Sequence, residues 1–242
     1  MKIAKIINIF LRGTTLLSKV ILFILLAKYF EPDQVGLFGL IIASIAFGVY
    51  AVGFDFYTYS TRELLKYNKK KWGYFLKSQC LLHIILYLIT FPLLLIIFIL
   101  NFLPWSFIGL FFLILLLEHI TLELSRLLIT LNNQIISSIV LFFRSGFWCI
   151  GISGLMIFFE KFRTIEHILL FWVFSSIAGL VVALIFLNKI NIGGWNKSFN
   201  YKWIIKGLKI AIPLLFATLI MRAIFTIDRY WVDFLSGPDM LG

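Results

Sequence analysis

Apolar residues run through this chain in long blocks, interrupted by short polar knots. About 20 helical residues cross a hydrocarbon core, because each adds about 1.5 Å. On that measure the pattern predicts seven membrane-spanning helices, at 6–29, 35–58, 76–100, 104–129, 135–159, 167–187 and 208–234. Breakers sit between them: Pro32 after the first, Asn101 and Pro104 after the third, and Gly193-Gly194 in the sixth connection. No stretch alternates at period two for long enough to predict a membrane barrel. The predicted fold class is all-α, a polytopic transmembrane helical bundle.

Two of the knots match. Pro32-Asp33-Gln34-Val35-Gly36 is echoed at the far end by Pro238-Asp239-Met240-Leu241-Gly242, so two of the five prolines fall in one shared pattern. A long apolar segment bearing Arg or Lys precedes each copy. The spacing suggests a repeated membrane lobe rather than a small solenoid unit. The expected organisation is a six-helix lobe at 1–190, a cytoplasmic interfacial linker at 191–207, and the first helix of a truncated second lobe at 208–242.

Composition agrees with a membrane chain: 62% of the 242 residues are hydrophobic and only 14% are charged, with a mean hydropathy of +1.02. A net charge of +11 would suit nucleic acid in a soluble protein. Here the cations flank apolar blocks, and the positive-inside rule accounts for them, so nucleic acid is not an expected partner. Lys2 and Lys5 mark the amino end. Arg62, Lys66, Lys69, Lys70, Lys71 and Lys77 crowd the second connection, and Lys189, Lys197, Lys202 and Lys206 the sixth. That asymmetry predicts a cytoplasmic N-terminus. The first block carries Lys19 and lacks a small-residue cleavage site, so it reads as a retained helix and not a signal peptide. Trp195, Tyr201 and Trp203, mixed with lysines, suit a link with aromatic anchors at the inner interface; a lipid site there is the sharper alternative.

Ionisable residues within the spans carry the most information, because hydrocarbon makes them costly unless they face protein or water. Arg12 and Lys19 lie seven residues apart on one helical stripe, with Thr15 between them. Snorkelling to the interface would explain Arg12 but not the deeper Lys19. Glu118, His119, Glu123 and Arg126 share the fourth span, and Arg144 sits in the fifth. Glu118 and Arg144 can pair across neighbouring helices; alternatively Glu118 is an ion-coupling group whose carboxylate neutralises as its exposure changes. Arg222 and Arg229 repeat the seven-residue interval in the last span. Asp55 with Arg62, and Asp228 beside Arg229, are candidate structural ion pairs. His83 stands alone and reads as a satisfied interior histidine. Tyr57, Tyr59, Trp148 and Trp172 suit packing or interfacial belts better than stacking on sugars.

Deep cations in excess of carboxylates imply a cavity that attracts anions. A diphosphate carries enough charge to repay burial against Arg, whose planar fork matches phosphate oxygens. Cys80 and Cys149 form neither a metal spacing nor a disulfide framework. No Walker loop, paired zinc ligands or nucleophile elbow occurs. The chain is therefore not expected to be an enzyme: no catalytic residues, no metal and no cofactor are expected.

Three stretches carry a family resemblance: LLAKYFEPDQVGLFGL after the first span, GFDFYTYSTREL closing the second, and IDRYWVDFLSGPDMLG at the end. With these the chain resembles the O-antigen and polysaccharide repeat-unit flippases of the multidrug/oligosaccharidyl-lipid/polysaccharide exporter superfamily, of which it would be an N-terminal fragment. The resemblance implies two six-helix lobes forming a V around a central cavity. It implies movement of an undecaprenyl-diphosphate-linked oligosaccharide across the inner membrane, driven by an ion gradient. Arg12, Lys19, Arg144 and Arg222 are the positions that would line a cationic cavity, with Glu118 as the coupling group. Membrane lipids and a polysaccharide polymerase or other assembly proteins are the implied partners. The alternatives are a multidrug-type cation antiporter, which the cation excess disfavours, and a non-transporting scaffold or inactive fragment.

Overall fold

The computed structural model describes residues 2–236, apart from the side chains at 2–4, 222, 225, 226, 228, 229, 233, 234 and 236. The order is α1 (Lys2–Tyr29), α2 (Pro32–Gly53), α3 (Tyr57–Leu65), α4 (Trp72–Leu94), α5 (Ile96–Ile99), α6 (Ile108–Thr130), α7 (Gln134–Phe142), α8 (Trp148–Phe158), α9 (Ile165–Asn188) and α10 (Tyr201–Ser236). Among the described residues there is no strand. Seven helical stretches are long and apolar enough to cross a membrane, and the protein is an all-α, multi-pass membrane protein. Its outer surface makes the same demand: Ile9 is 72% exposed, Leu88 72% and Phe158 79%. Water would penalise such a coat, whereas lipid accepts it.

Local chemistry explains where the helices start and stop. Pro32 opens α2 at a position whose N–H would be unpaired anyway, and Asp33 in the first turn complements the helix dipole. The Thr164 hydroxyl accepts from His167 N–H at the start of α9, and the Asn200 side chain accepts from Trp203 N–H at the start of α10. Inside the spans, the hydroxyls of Thr14, Thr15, Ser44 and Thr121 donate back to carbonyls of their own helix. Each polar group is thereby satisfied without water.

Three departures from the sequence pattern matter. The second span stops at Gly53 and does not continue to residue 58. Phe54 and Asp55 both take left-handed conformations, with φ of 53° and 48°, and the polar run that follows forms the separate helix α3. The last helix begins at Tyr201, seven residues ahead of the expected start at 208, because Asn200 caps it there. The fifth span is not a regular α-helix: Phe143–Phe147 forms a π-helical turn between α7 and α8.

The bundle is organised around α2 and α6. Half of the α2 span is buried, against 28% of the α1 span and 22% of the α10 span. Gly48 permits that central position: a Cβ added there would stand 2.5 Å from Leu115 Cδ1 of α6. Gly146 does the same for α1, since its Cβ would stand 3.1 Å from the Thr15 Cα. Helix α10 runs along α2, where Tyr230 meets Ser44 through their hydroxyls and Phe102 ring to edge.

Candidate functional site

A cavity of about 350 Å³ opens among α1, α2, α6, the α7–α8 turn and α9. Its polar wall is made by Lys19, Tyr50, Glu118, Arg144 and Ser145, and its flat wall by Trp148 and Trp172. Lys19, Glu118 and Arg144 each lie near the middle of their spans, which run Lys5–Tyr29, Trp105–Thr130 and Gln134–Phe158. The cavity therefore sits at mid-membrane depth.

The carboxylate of Glu118 is held at both oxygens. Oε2 lies 3.3 Å from Arg144 Nη1, and Oε1 accepts from Trp172 Nε1 at 2.8 Å. Trp172 is in turn stacked on Trp148, with centroids 4.9 Å apart and planes 12° apart. Arg144 is delivered by the π-helical turn, which displaces its side chain from the register of a plain α-helix. Ser175 of α9 donates its hydroxyl to the Phe143 carbonyl beside the turn, and so helps to satisfy the altered backbone. Two donors remain closed off from solvent without a partner: Arg144 Nε and Trp148 Nε1. A buried donor left without an acceptor is costly.

The expected set is thus divided. Lys19, Arg144 and Glu118 come together, and Glu118 and Arg144 form the anticipated interhelical ion pair. Arg12 does not join them: its side chain is exposed and is not part of the cavity wall. The side chains of Arg222, Asp228 and Arg229 lie outside the described residues. Asp55 and Arg62 do not pair; among the described residues the ion pairs are Lys66–Glu63, Arg126–Glu123, Arg144–Glu118 and Arg163–Glu160. Their expected approach assumed a continuous helix, and the left-handed turn at Phe54–Asp55 destroys that register. Asp55 instead uses its backbone carbonyl, which accepts from Thr58 N–H and hydroxyl.

A second polar group lies on the other side of α6. Glu123 accepts from Gln79 Nε2 at 2.9 Å and pairs with Arg126, whose guanidinium covers the Tyr57 ring at 3.5 Å. Deeper in the bundle, His83 is not alone. Its ring meets His119 edge-on with centroids 4.6 Å apart, and His119 Nδ1 is 2.6 Å from the Tyr87 hydroxyl. Among the described residues no group of three or more His, Cys, Asp or Glu can hold a metal ion.

From the sequence the two tryptophans suited packing or interfacial belts better than stacking on sugars. Their role as a platform that clamps Glu118 had no sequence signal, since α9 and α6 are brought together only by the fold. No family model, curated protein or solved structure matches the chain.

Proposed function

We propose that this protein translocates an undecaprenyl-diphosphate-linked oligosaccharide across the inner membrane, with its N-terminus in the cytoplasm and the mid-membrane cavity as its anion-binding chamber. The observation that carries the reading is the meeting of Lys19, Arg144 and Glu118 at mid-depth. Two cations and one carboxylate leave a net positive chamber, and a diphosphate is the membrane-borne anion best matched to an Arg fork and a Lys. The space suits a small charged group and not a whole oligosaccharide, so the glycan would project from the mouth beside Lys19.

Glu118 supplies the coupling step in this reading. While ionised it occupies Arg144. Once protonated, it releases the guanidinium to the substrate phosphate, so proton uptake accompanies substrate binding and proton loss accompanies substrate release. No bond is made or broken in the cargo. Reconstitution of the chain in vesicles with a labelled diphosphate-linked glycan tests the proposal. Label should become accessible at the opposite leaflet, and Arg144→Gln should slow this at least tenfold at unchanged protein content. Equal exchange in vesicles with and without the protein would instead indicate a scaffold.

A further inference from the structure

At the lysine-rich end of the bundle lies a second concavity, of about 440 Å³, between α3, α4 and the start of α10. It is separate from the central cavity and plays no part in the proposed translocation. Four lysines border it: Lys71, Lys197, Lys202 and Lys206. The one carboxylate, Glu63, is already engaged with Lys66 at 2.6 Å. The floor is aromatic, with Tyr59, Phe75 and Trp203 packed ring against ring at 5.3 Å between centroids for both contacts to Trp203. Trp203 is 6% exposed, and its indole N–H has no partner. Burial first, then Glu63 and Tyr67, push the Tyr59 phenol up to about 12.

The wall that carries Lys197 is pinned in place. Lys77 Nζ donates to the carbonyls of Trp195 and Lys197 at 3.4 and 3.1 Å, and Asn200 N–H donates to Ser78 Oγ at 2.9 Å. Gly73 N–H donates to the Gly193 carbonyl at 2.8 Å. Gly194 has a φ of 91°, and a Cβ at Gly193 would stand 2.9 Å from the Lys70 carbonyl oxygen, so the glycine pair is what lets the linker lie flat on the short 3-10 turn Lys69–Lys71. Lysines that only set topology need no concavity and no pinned wall. Here both are built.

The location identifies the class of ligand. Two candidate spans, Lys69–Ile99 and Tyr201–Met221, begin beside the concavity, so it lies at the membrane boundary. Lys202, Lys206 and Ile210 follow one another at four-residue steps along one stripe of α10, and Ile210 is exposed. We propose that this concavity binds the phosphate headgroup of an anionic phospholipid, whose acyl chains descend past Ile210.

Native mass spectrometry of the purified chain with phosphatidylglycerol or phosphatidylcholine tests this. Phosphatidylglycerol should be retained selectively, and the double variant K202Q/K206Q should weaken it by roughly thirtyfold, the share of two lysines in attraction to anionic lipid. Retention of phosphatidylcholine should not change. Lys69 and Lys70 serve as the control, because they stand at the same end but outside the concavity. If K69Q/K70Q weakens retention as much as K202Q/K206Q, the effect is general surface charge and the site does not exist. A third arm adds inorganic pyrophosphate: its binding with the same Lys202 and Lys206 dependence, while phosphatidylglycerol is not retained, would overturn the lipid assignment in favour of a soluble phosphate. None of these outcomes bears on Lys19 or Arg144, so the translocation reading stands or falls separately.

Discussion

Glu118 and Glu123 are five residues apart on one helix, each beside an arginine, yet they live in different surroundings. Glu118 faces a cavity of about 350 Å³, held by Arg144 and Trp172 from two other helices. Glu123 faces a crevice of about 90 Å³, held by Arg126 of its own helix and Gln79 of α4, with Tyr57 closing over the arginine. The difference is one of room and of lineage. A pair made within one helix and roofed by a ring has nothing to exchange with and serves to glue helices together. A pair made between helices, beside an open space, can be opened by a competing anion or a proton. Intramembrane charge is therefore a signpost to function only where space accompanies it.

The contrast can be broken most severely at the glue. Glu123→Ala strands the Arg126 guanidinium and should cost about 3 kcal/mol, read as a lower melting temperature in detergent and reduced abundance in the membrane. If Glu118→Gln destabilises just as much, the two carboxylates have the same structural duty and the contrast fails. Next in size, Trp172→Phe removes the donor to Glu118 Oε1 and should cost about 2 kcal/mol, the usual worth of a hydrogen bond to a charged group; thermal unfolding of the purified protein checks it. Trp148→Phe, whose indole N–H has no partner to lose, should cost less. The smallest effect on stability belongs to Lys19→Ala. Its side chain is exposed at the cavity mouth, so folding should be unchanged while affinity for a diphosphate-bearing lipid falls roughly tenfold, the equivalent of one modest charge contact. The same substitution at Arg12 should leave that affinity unaltered, because Arg12 does not reach the cavity.

Helix count and span positions were legible because they are properties of single segments. A block of apolar residues must find hydrocarbon, and Pro32, Asn101 and Gly193-Gly194 interrupt such blocks whatever else the chain does. The deep cations were legible for the same reason. The meeting of Glu118 with Arg144 was foreseen as one of two possibilities, since both lie near mid-depth on neighbouring spans. The turn at Phe54–Asp55 was not foreseen, and it cost the expected Asp55–Arg62 pair. Neither residue type announces a left-handed conformation the way glycine does.

What the sequence by itself determined is the solvent of this protein: long helices in lipid, lysines gathered at one end, and a few charges too deep to be accidental. Only the tertiary structure decided which of those charges share a chamber. Arg12 and Lys19 have near-identical positions on the helical wheel, but the neighbours that wall the cavity reach only Lys19. A π-helical turn aims Arg144, α9 brings Trp172 to Glu118, and α4 brings His83 against His119. Hydropathy is a sum over one segment, whereas a site is a meeting of residues dozens of positions apart, and that meeting depends on how helices pack.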